Sequence, residues 1–311
     1  ENVPAFKALE KIFKEKENWI ALVSLYEKRA EAVTSHVDEL FINAATICKE
    51  KLEMPDEMER LLLRLLEKQP ANEKAGAMLE AYYEESKQTA KIRRLLEERY
   101  KVETEPDRKC KAAVKLSSLA KAEGDDAAAL SFALEALEHK ENDPEALSAL
   151  RQIRLDMRDF DAALSVMEKE IGLCGAGENA IKIISDTAKA LSEDPFELER
   201  AKELYGRVKE MTNGKKKVAA IDAEIKKLDE IKDNYAQIVS QLLEEALNRQ
   251  NKSEAAEAFL KAAAYTYLYN PKDEQTITDS LSKALLLSPT NIRAINLAER
   301  FFTEKKDDQK L

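Results

Sequence analysis

The chain has 311 residues and a formal net charge of −10, and charged residues make up 35% of it. This acidic balance excludes nucleic acid as the expected partner, because a phosphate backbone is bound through clustered positive charge. Only 7 glycines and 8 prolines interrupt a sequence dominated by alanine, leucine, glutamate and lysine, so helices are predicted nearly throughout.

A helical apolar pattern begins near the start of the sequence and recurs along it. Trp19, Leu22 and Tyr26 share one helix face and predict the second helix of a first helix pair. Positions equivalent to Leu22 recur every 34 to 39 residues. They are Leu22, Glu57, Lys91, Ala129, Ala163, Ala201, Ile238 and Ile277. The residue four positions after each of them is apolar, which indicates eight copies of one unit.

The clearest copy runs from Asp143 to Glu168 and contains two short apolar stripes. Asp143 followed by proline predicts the start of the first helix, with the aspartate as its cap. A polar break at Arg158-Asp159 separates the two helices. Small Ala163 lets the two helix axes approach closely. Neither helix could bury its apolar face alone, so the pair must pack on itself and on its neighbours.

A period near 34 residues with two helices per unit resembles the tetratricopeptide repeat (TPR) family. Leu147, Leu150, Phe160, Ala163 and Met167 are the best matches, while Glu57 and Lys91 stand where alanine is usual. The "half-a-TPR" repeats of RNA-processing scaffolds remain an alternative. The resemblance implies an all-α, right-handed superhelical α-solenoid of antiparallel helix pairs, with about eight units and a final half unit. The chain would form a single domain over 1–311, more regular in 1–171 and with longer helices and insertions in 172–311.

In TPR proteins the first helix of each pair lines a concave surface that binds partners. Polar residues at such positions are therefore the candidate partner-binding residues: Lys7, Lys11, Lys14, Asn43, Thr46, Tyr83, Lys111, Lys115, Ser118 and Gln152. Some relatives hold a peptide's terminal carboxylate with a Lys/Asn/Arg clamp on this surface. The asparagine positions of that clamp are not matched here, so a receptor for chaperone tails is not favoured.

The sequence contains no motif for catalysis, a cofactor or a metal. His36 and His139 are too far apart in the repeat to form a metal site together. The three cysteines (Cys48, Cys110 and Cys174) form no CxxC pair, which argues against a disulfide framework and favours the cytoplasm or another reducing compartment. No apolar run approaches the length of a membrane span. The chain is therefore expected to be a non-enzymatic scaffold that binds a peptide or helix of another protein.

Two segments in the second half leave the arrangement of helices open. Gly172–Gly177 contains three glycines and predicts a flexible loop between repeats, since a phosphate-binding loop would need a preceding strand. Residues 215–249 contain no glycine or proline and could form one long helix. Asp233-Asn234 is a good capping pair at the expected turn and favours two helices instead.

The last predicted helix carries apolar residues with no helix following them. Ile295, Phe301 and Phe302 are therefore candidates for end-to-end assembly, because a repeat array needs a polar cap. We expect the chain to be an excerpt of a longer array or to have this end covered by another chain. The alternative function that follows is a structural spacer or assembly subunit, which contacts partners through its outer faces and ends.

Overall fold

The computed structural model describes residues 3–305, except for the side chains at positions 215 and 216. This part of the chain forms sixteen α-helices and no strand, which confirms the predicted all-α class. The helices are α1 (Val3–Glu15), α2 (Trp19–Ala32), α3 (Val37–Glu50), α4 (Pro55–Lys68), α5 (Glu73–Glu85), α6 (Thr89–Val102), α7 (Pro106–Ala122), α8 (Asp126–His139), α9 (Pro144–Asp156), α10 (Phe160–Cys174), α11 (Glu178–Ser192), α12 (Leu198–Met211), α13 (Lys215–Asn248), α14 (Lys252–Tyr269), α15 (Glu274–Leu287) and α16 (Ile292–Glu304).

The helices form two compact units, an N-terminal unit that ends at Ile153 and a C-terminal unit that begins at Arg154. The boundary falls inside α9. Within each unit, helices that follow one another in sequence pack together. This neighbour-to-neighbour packing is the arrangement that the TPR resemblance implies, and it confirms a helical repeat.

The predicted repeat positions fall where a helix pair requires them. Seven of the eight reference positions lie in the second helix of a pair, and the eighth, Ile238, lies in α13. Of the apolar residues four positions later, seven are buried and Leu242 is partly buried. The buried residues are Tyr26, Leu61, Leu95, Ala133, Met167, Tyr205 and Leu281.

The turns inside the first five helix pairs share one backbone feature. Two residues before each second helix, the chain adopts a positive φ, at Glu17, Glu53, Lys87, Gly124 and Arg158. Only one of these five is glycine, so the other four accept a conformation that disfavours a side chain. A left-handed residue at this position is thus a feature of the repeat that the sequence does not reveal, because four of the five residues are not glycine.

The expectation of two helices in residues 215–249 is wrong, because α13 is a single helix of 34 residues. Its apolar stripe continues through the expected turn, with Ile231 and Tyr235 four positions apart and both packed on the same core. Asp233 and Asn234 are exposed within the helix, so they need no turn to reach water. Continuity of the buried stripe therefore outweighs the local capping preference.

The glycine-rich segment is shorter as a loop than predicted. Residues 172 to 174 form the end of α10, and Gly175 follows with a φ of 71°. Only the three residues from Gly175 to Gly177 separate α10 from α11. The helix continues through Gly172 because Ile171 before it packs on the core of the C-terminal unit.

The last helix is packed more completely than its sequence suggests. Phe301 and Phe302 are 2% and 8% exposed and lie in a core formed with α14 and α15. Ile295 is 42% exposed. Of the three residues predicted for end-to-end assembly, only Ile295 therefore offers exposed apolar surface. In the part of the chain that the structure describes, no helix has both the length and the apolar character that crossing a membrane requires.

Candidate functional site

Two neighbouring first helices, α5 and α7, enclose a cavity in the N-terminal unit. Asn72 caps α5 by accepting a hydrogen bond from the backbone N–H of Ala75 at 3.0 Å. Proline at the first position of α7 suits the start of that helix, where its missing N–H is not needed. These local signals fix where both helices begin and bring their first turns side by side.

The cavity has a volume of about 190 Å³ and combines an apolar floor with charged walls. Leu96 and two alanines provide apolar surface, four residues are basic and three are acidic. The lining residues are Ala71, Glu73, Glu80, Leu96, Arg99, Glu103, Arg108, Lys111, Ala112 and Lys115. The predicted residues Lys111 and Lys115 therefore lie in the same cavity, one helical turn apart on α7.

Two of the four basic residues are already paired within the chain. Arg108 lies 2.8 Å from Glu73 on α5 and 2.8 Å from Glu105, and Lys115 pairs with Glu80 on α5. Among residues 3–305, no carboxylate lies within ion-pair distance of Arg99 or Lys111. The cavity therefore presents two unpaired positive charges in a protein whose net charge is −10.

The carboxylate of Glu103, one of the three acidic residues that line the cavity, is hydrogen-bonded to backbone N–H groups. Glu103 Oε1 accepts hydrogen bonds from the N–H groups of Glu105 at 3.0 Å and Thr104 at 2.9 Å. The first of these bonds is the main cause that lowers the pKa of Glu103. The nearby positive charges of Arg108 and Arg99 lower the pKa of Glu103 further, so its carboxylate is ionised and already interacts with the start of α7 and with Arg99.

The Arg99 side chain reaches the cavity because it crosses α5 at a glycine, Gly76. A Cβ placed on Gly76 would lie 2.5 Å from the Arg99 Cζ atom and 2.5 Å from one guanidinium nitrogen. Glycine inside a helix costs about 1 kcal/mol relative to alanine. Gly76 makes the space in which the guanidinium group of Arg99 lies against α5.

Replacing Gly76 with alanine tests this arrangement. We expect Gly76→Ala to add less than about 1 kcal/mol to the free energy of unfolding, because the gain in helix propensity is offset by displacing Arg99. Gly206→Ala in α12 is the matched control, since nothing lies within 4 Å of a Cβ there, and it should gain about 1 kcal/mol. Urea titration of both variants measures the difference. Equal gains would show that Arg99 is not held over Gly76.

A second cavity extends the groove from α5 toward α3. Its volume is about 600 Å³, and it shares Ala71, Glu73 and Arg108 with the first cavity. Asp38 and Ile42 of α3 form its far side. We call the two cavities together the α3–α7 groove. Its open length suits an extended or helical segment better than a small molecule.

The other predicted binding residues lie outside the two cavities. Lys7, Lys11 and Lys14 are exposed on α1, where Lys14 pairs with Glu10 at 2.7 Å and Lys11 lies 3.8 Å from Glu15. Asn43 is exposed, Thr46 is partly buried, and Ser118 and Gln152 are exposed. The hydroxyls of Thr46 and Ser118 each donate to the backbone carbonyl four residues earlier.

Tyr83 does not face the α3–α7 groove. It is 3% exposed, and its hydroxyl donates to Glu59 of α4 at 2.9 Å. Burial, followed by this hydrogen bond, raises the pKa of Tyr83. Tyr83 is buried because it lies four residues after Leu79 and so continues the buried stripe of α5. Tyr83 instead lines a cavity of about 640 Å³ beside α4 and α6.

Sequence reasoning missed Arg99 and Arg108 as residues of the groove. Arg99 belongs to a second helix, so the rule that first helices bind partners passed over it. Gly76 is the signal that could have found it, because a glycine inside a predicted helix often marks a close approach. Arg108 lies on a first helix one turn before Lys111, and the same spacing that selected Lys111 and Lys115 applies to it.

The described residues offer little that resembles catalytic chemistry. Residues 3–305 contain no group of three or more histidine, cysteine or acidic side chains placed to hold a metal ion. Burial raises the pKa of the Cys48 and Cys110 thiols to about 11 each, so neither is a thiolate at neutral pH. His139 packs against Tyr100, with Nε2 at 2.9 Å from the tyrosine hydroxyl, and His36 is exposed at the start of α3.

No family model and no curated protein matches the chain. Solved structures of helical repeats are similar to it. The C-terminal part of a TPR repeat-containing protein from Cytophaga hutchinsonii is 15% identical, with a TM-score of 0.44, over 84% of this chain and 98% of that one. A tetratricopeptide repeat protein from Parabacteroides merdae is 14% identical, with a TM-score of 0.41, over 91% of this chain and 98% of the other.

A third similar structure is that of Naa15/Naa10 bound to HypK-THB. It is 14% identical, with a TM-score of 0.43, over 97% of this chain and 50% of that chain. All three TM-scores lie below 0.5. The interpretation of this chain as a TPR-like helical repeat therefore rests on its own helix order, repeat spacing and packing.

Proposed function

We propose that the chain is a non-enzymatic interaction scaffold whose α3–α7 groove binds an acidic segment of a partner protein. The observation that carries this proposal is the pair of unpaired cations, Arg99 and Lys111, beside the apolar surface of Leu96 in one cavity. A carboxylate from a partner would compensate both charges, and apolar side chains next to it would cover the floor.

The argument for an acidic partner is local, because the net charge of −10 disfavours the approach of an acidic chain in general. Arg99 and Lys111, which have no ion-pair partner among the described residues, would have to supply the attraction. Binding should therefore weaken steeply with ionic strength, because exposed charges are screened over about 10 Å at 0.1 M salt.

Reversing the charge of the two predicted lysines tests the proposal. The probe is an unlabelled twelve-residue peptide of glutamate and alanine, blocked at both ends and titrated by calorimetry. We expect Lys111→Glu/Lys115→Glu to weaken its binding by at least about tenfold, because like charges then face the ligand. Lys226→Glu/Lys227→Glu on α13 changes the net charge equally at exposed positions and should leave the affinity within about twofold.

Two results would count against this function. Equal loss in both double variants would show that the peptide senses only the net charge. Unchanged binding in both would leave the groove without a role. The alternative role as a spacer that assembles through its end has less support, since Phe301 and Phe302 are already packed inside the C-terminal unit.

A further inference from the structure

The C-terminal unit contains a separate cavity between α14 and α16. Two polar contacts join these helices. At one end Arg293 donates to Glu257 at 2.8 Å, and at the other the Tyr267 hydroxyl donates to Glu304 at 2.8 Å. A cavity of about 210 Å³ lies along the same two helices. Its lining includes Phe196, Lys261, Arg293, Leu297 and Arg300.

The loop after α11 forms the third side of the cavity, beside α14 and α16, and the buried Asp194 fixes its position. Asp194 is 2% exposed, and its Oδ1 accepts a hydrogen bond from the backbone N–H of Phe196 at 3.0 Å. Its Oδ2 accepts from Arg158 at 3.3 Å and from Arg293. The loop is therefore fixed to α16 through Arg293. The Phe196 side chain is 41% exposed and offers apolar surface at the cavity.

The polar groups of the cavity walls are mostly hydrogen-bond donors. Arg293 is neutralised by Asp194 and Glu257. Arg300 has one exposed contact, 3.3 Å from Glu304, and lies over the Tyr267 ring. In residues 3–305 no carboxylate lies within ion-pair distance of Lys261, and no carboxylate is among the described residues that line the cavity.

Lys261 is placed where its charge is poorly solvated. It is half-buried in α14, and desolvation, followed by the charge of Arg158, lowers its pKa by more than the charges of Glu257, Glu193 and Asp194 raise it. A carboxylate brought into the cavity would relieve this cost, because an opposite charge nearby favours the ammonium form. The cavity walls thus combine a half-buried cation that has no ion-pair partner among the described residues with apolar surface.

We propose that this cavity binds an acidic side chain of a partner protein, with the carboxylate at Lys261 and Arg300 and a neighbouring apolar residue on Phe196 and Leu297. The volume supports a peptide rather than a small molecule. Cavities that hold drug-sized ligands measure about 300–1,000 Å³, whereas 210 Å³ accommodates one anchoring side chain. The site lies in the other compact unit from the α3–α7 groove and does not depend on it.

The test uses the full chain and a blocked peptide of alternating glutamate and leucine, titrated by calorimetry. Lys261→Gln should weaken binding by about tenfold or more, since it removes the unpaired cation. The variant should fold, because it removes a charge that burial disfavours. Lys182→Gln, at an exposed position of α11, removes the same charge and should leave the affinity unchanged. The same peptide with glutamine in place of glutamate should not bind.

Three outcomes would overturn the proposal. One is equal binding by wild type and Lys261→Gln. Another is equal binding of the glutamine peptide, which would make the contact apolar only. The third is loss of binding in Lys111→Glu/Lys115→Glu with none in Lys261→Gln, which would place the peptide in the α3–α7 groove. Retained binding in that double variant, together with loss in Lys261→Gln, supports a second site whether or not the groove is functional.

Discussion

Asn234→Pro is expected to lower the free energy of unfolding by about 3 kcal/mol or more. Asn234 lies well inside the 34-residue helix α13, where proline removes a backbone hydrogen bond and collides with the preceding turn. If residues 215–249 formed two helices with Asp233 as a cap, position 234 would be the first of the second helix. Proline is favoured there, and the same variant would be neutral or stabilising.

Lys252→Pro provides the control for this experiment. Lys252 is the first residue of α14, and the preceding Asn251 has an extended backbone with φ −77° and ψ 114°, which suits a residue before proline. We expect it to change stability by less than about 1 kcal/mol. Urea unfolding followed by circular dichroism measures both variants, and a stable Asn234→Pro protein with unchanged helix content would contradict a continuous α13.

Asp194→Asn should destabilise the C-terminal unit by about 3 kcal/mol. The carboxylate is buried between Arg158 and Arg293, and its removal leaves two partly buried guanidinium groups sharing only Glu257. Breaking a buried ion pair from one side costs about 3–5 kcal/mol, and the low end applies because both arginines are partly exposed.

The matched control for Asp194 is an ion pair of the same kind on the surface. Asp161 lies 2.6 Å from Arg200 but is 83% exposed, so Asp161→Asn should cost less than about 1 kcal/mol. Thermal unfolding of the two asparagine variants gives the comparison. Equal shifts in Tm would show that burial of the Asp194 cluster contributes nothing.

The repeat can be predicted from the sequence because it depends only on the spacing of apolar residues along the chain. The apolar pairs at Leu22 and Tyr26, or Ala163 and Met167, are buried as the period requires. Helix starts at Asp143 and Asp159 also follow from local capping, since each side chain accepts a hydrogen bond from the backbone N–H three residues later. Local chemistry and burial agree at these positions, so each indicates the same fold.

Prediction fails where local and tertiary preferences conflict. Asp233-Asn234 has the chemistry of a cap, but Ile231 and Tyr235, both partly buried, pack on the same core four positions apart and keep α13 whole. Tyr83 has a polar hydroxyl, yet its helical position places the ring in the core. The polar atom is then satisfied by Glu59 rather than by solvent or a partner.

The candidate sites depend on contacts between residues distant in sequence. Arg99 reaches the α3–α7 groove from a second helix, over Gly76. The cavity in the C-terminal unit needs Asp194 and Arg293 to meet, although 99 residues separate them. The repeat period of 34 to 39 residues cannot indicate such a contact, because it relates only neighbouring copies.

The most direct test of the scaffold proposal maps the face that a native partner contacts. Carbodiimide links lysine to carboxylate side chains without a spacer, and mass spectrometry of the cross-linked native complex identifies both residues. The proposal predicts that acidic residues of the partner link to Lys111 and Lys115 of the α3–α7 groove. Links confined to α13, for example at Lys226 and Lys227, would contradict it.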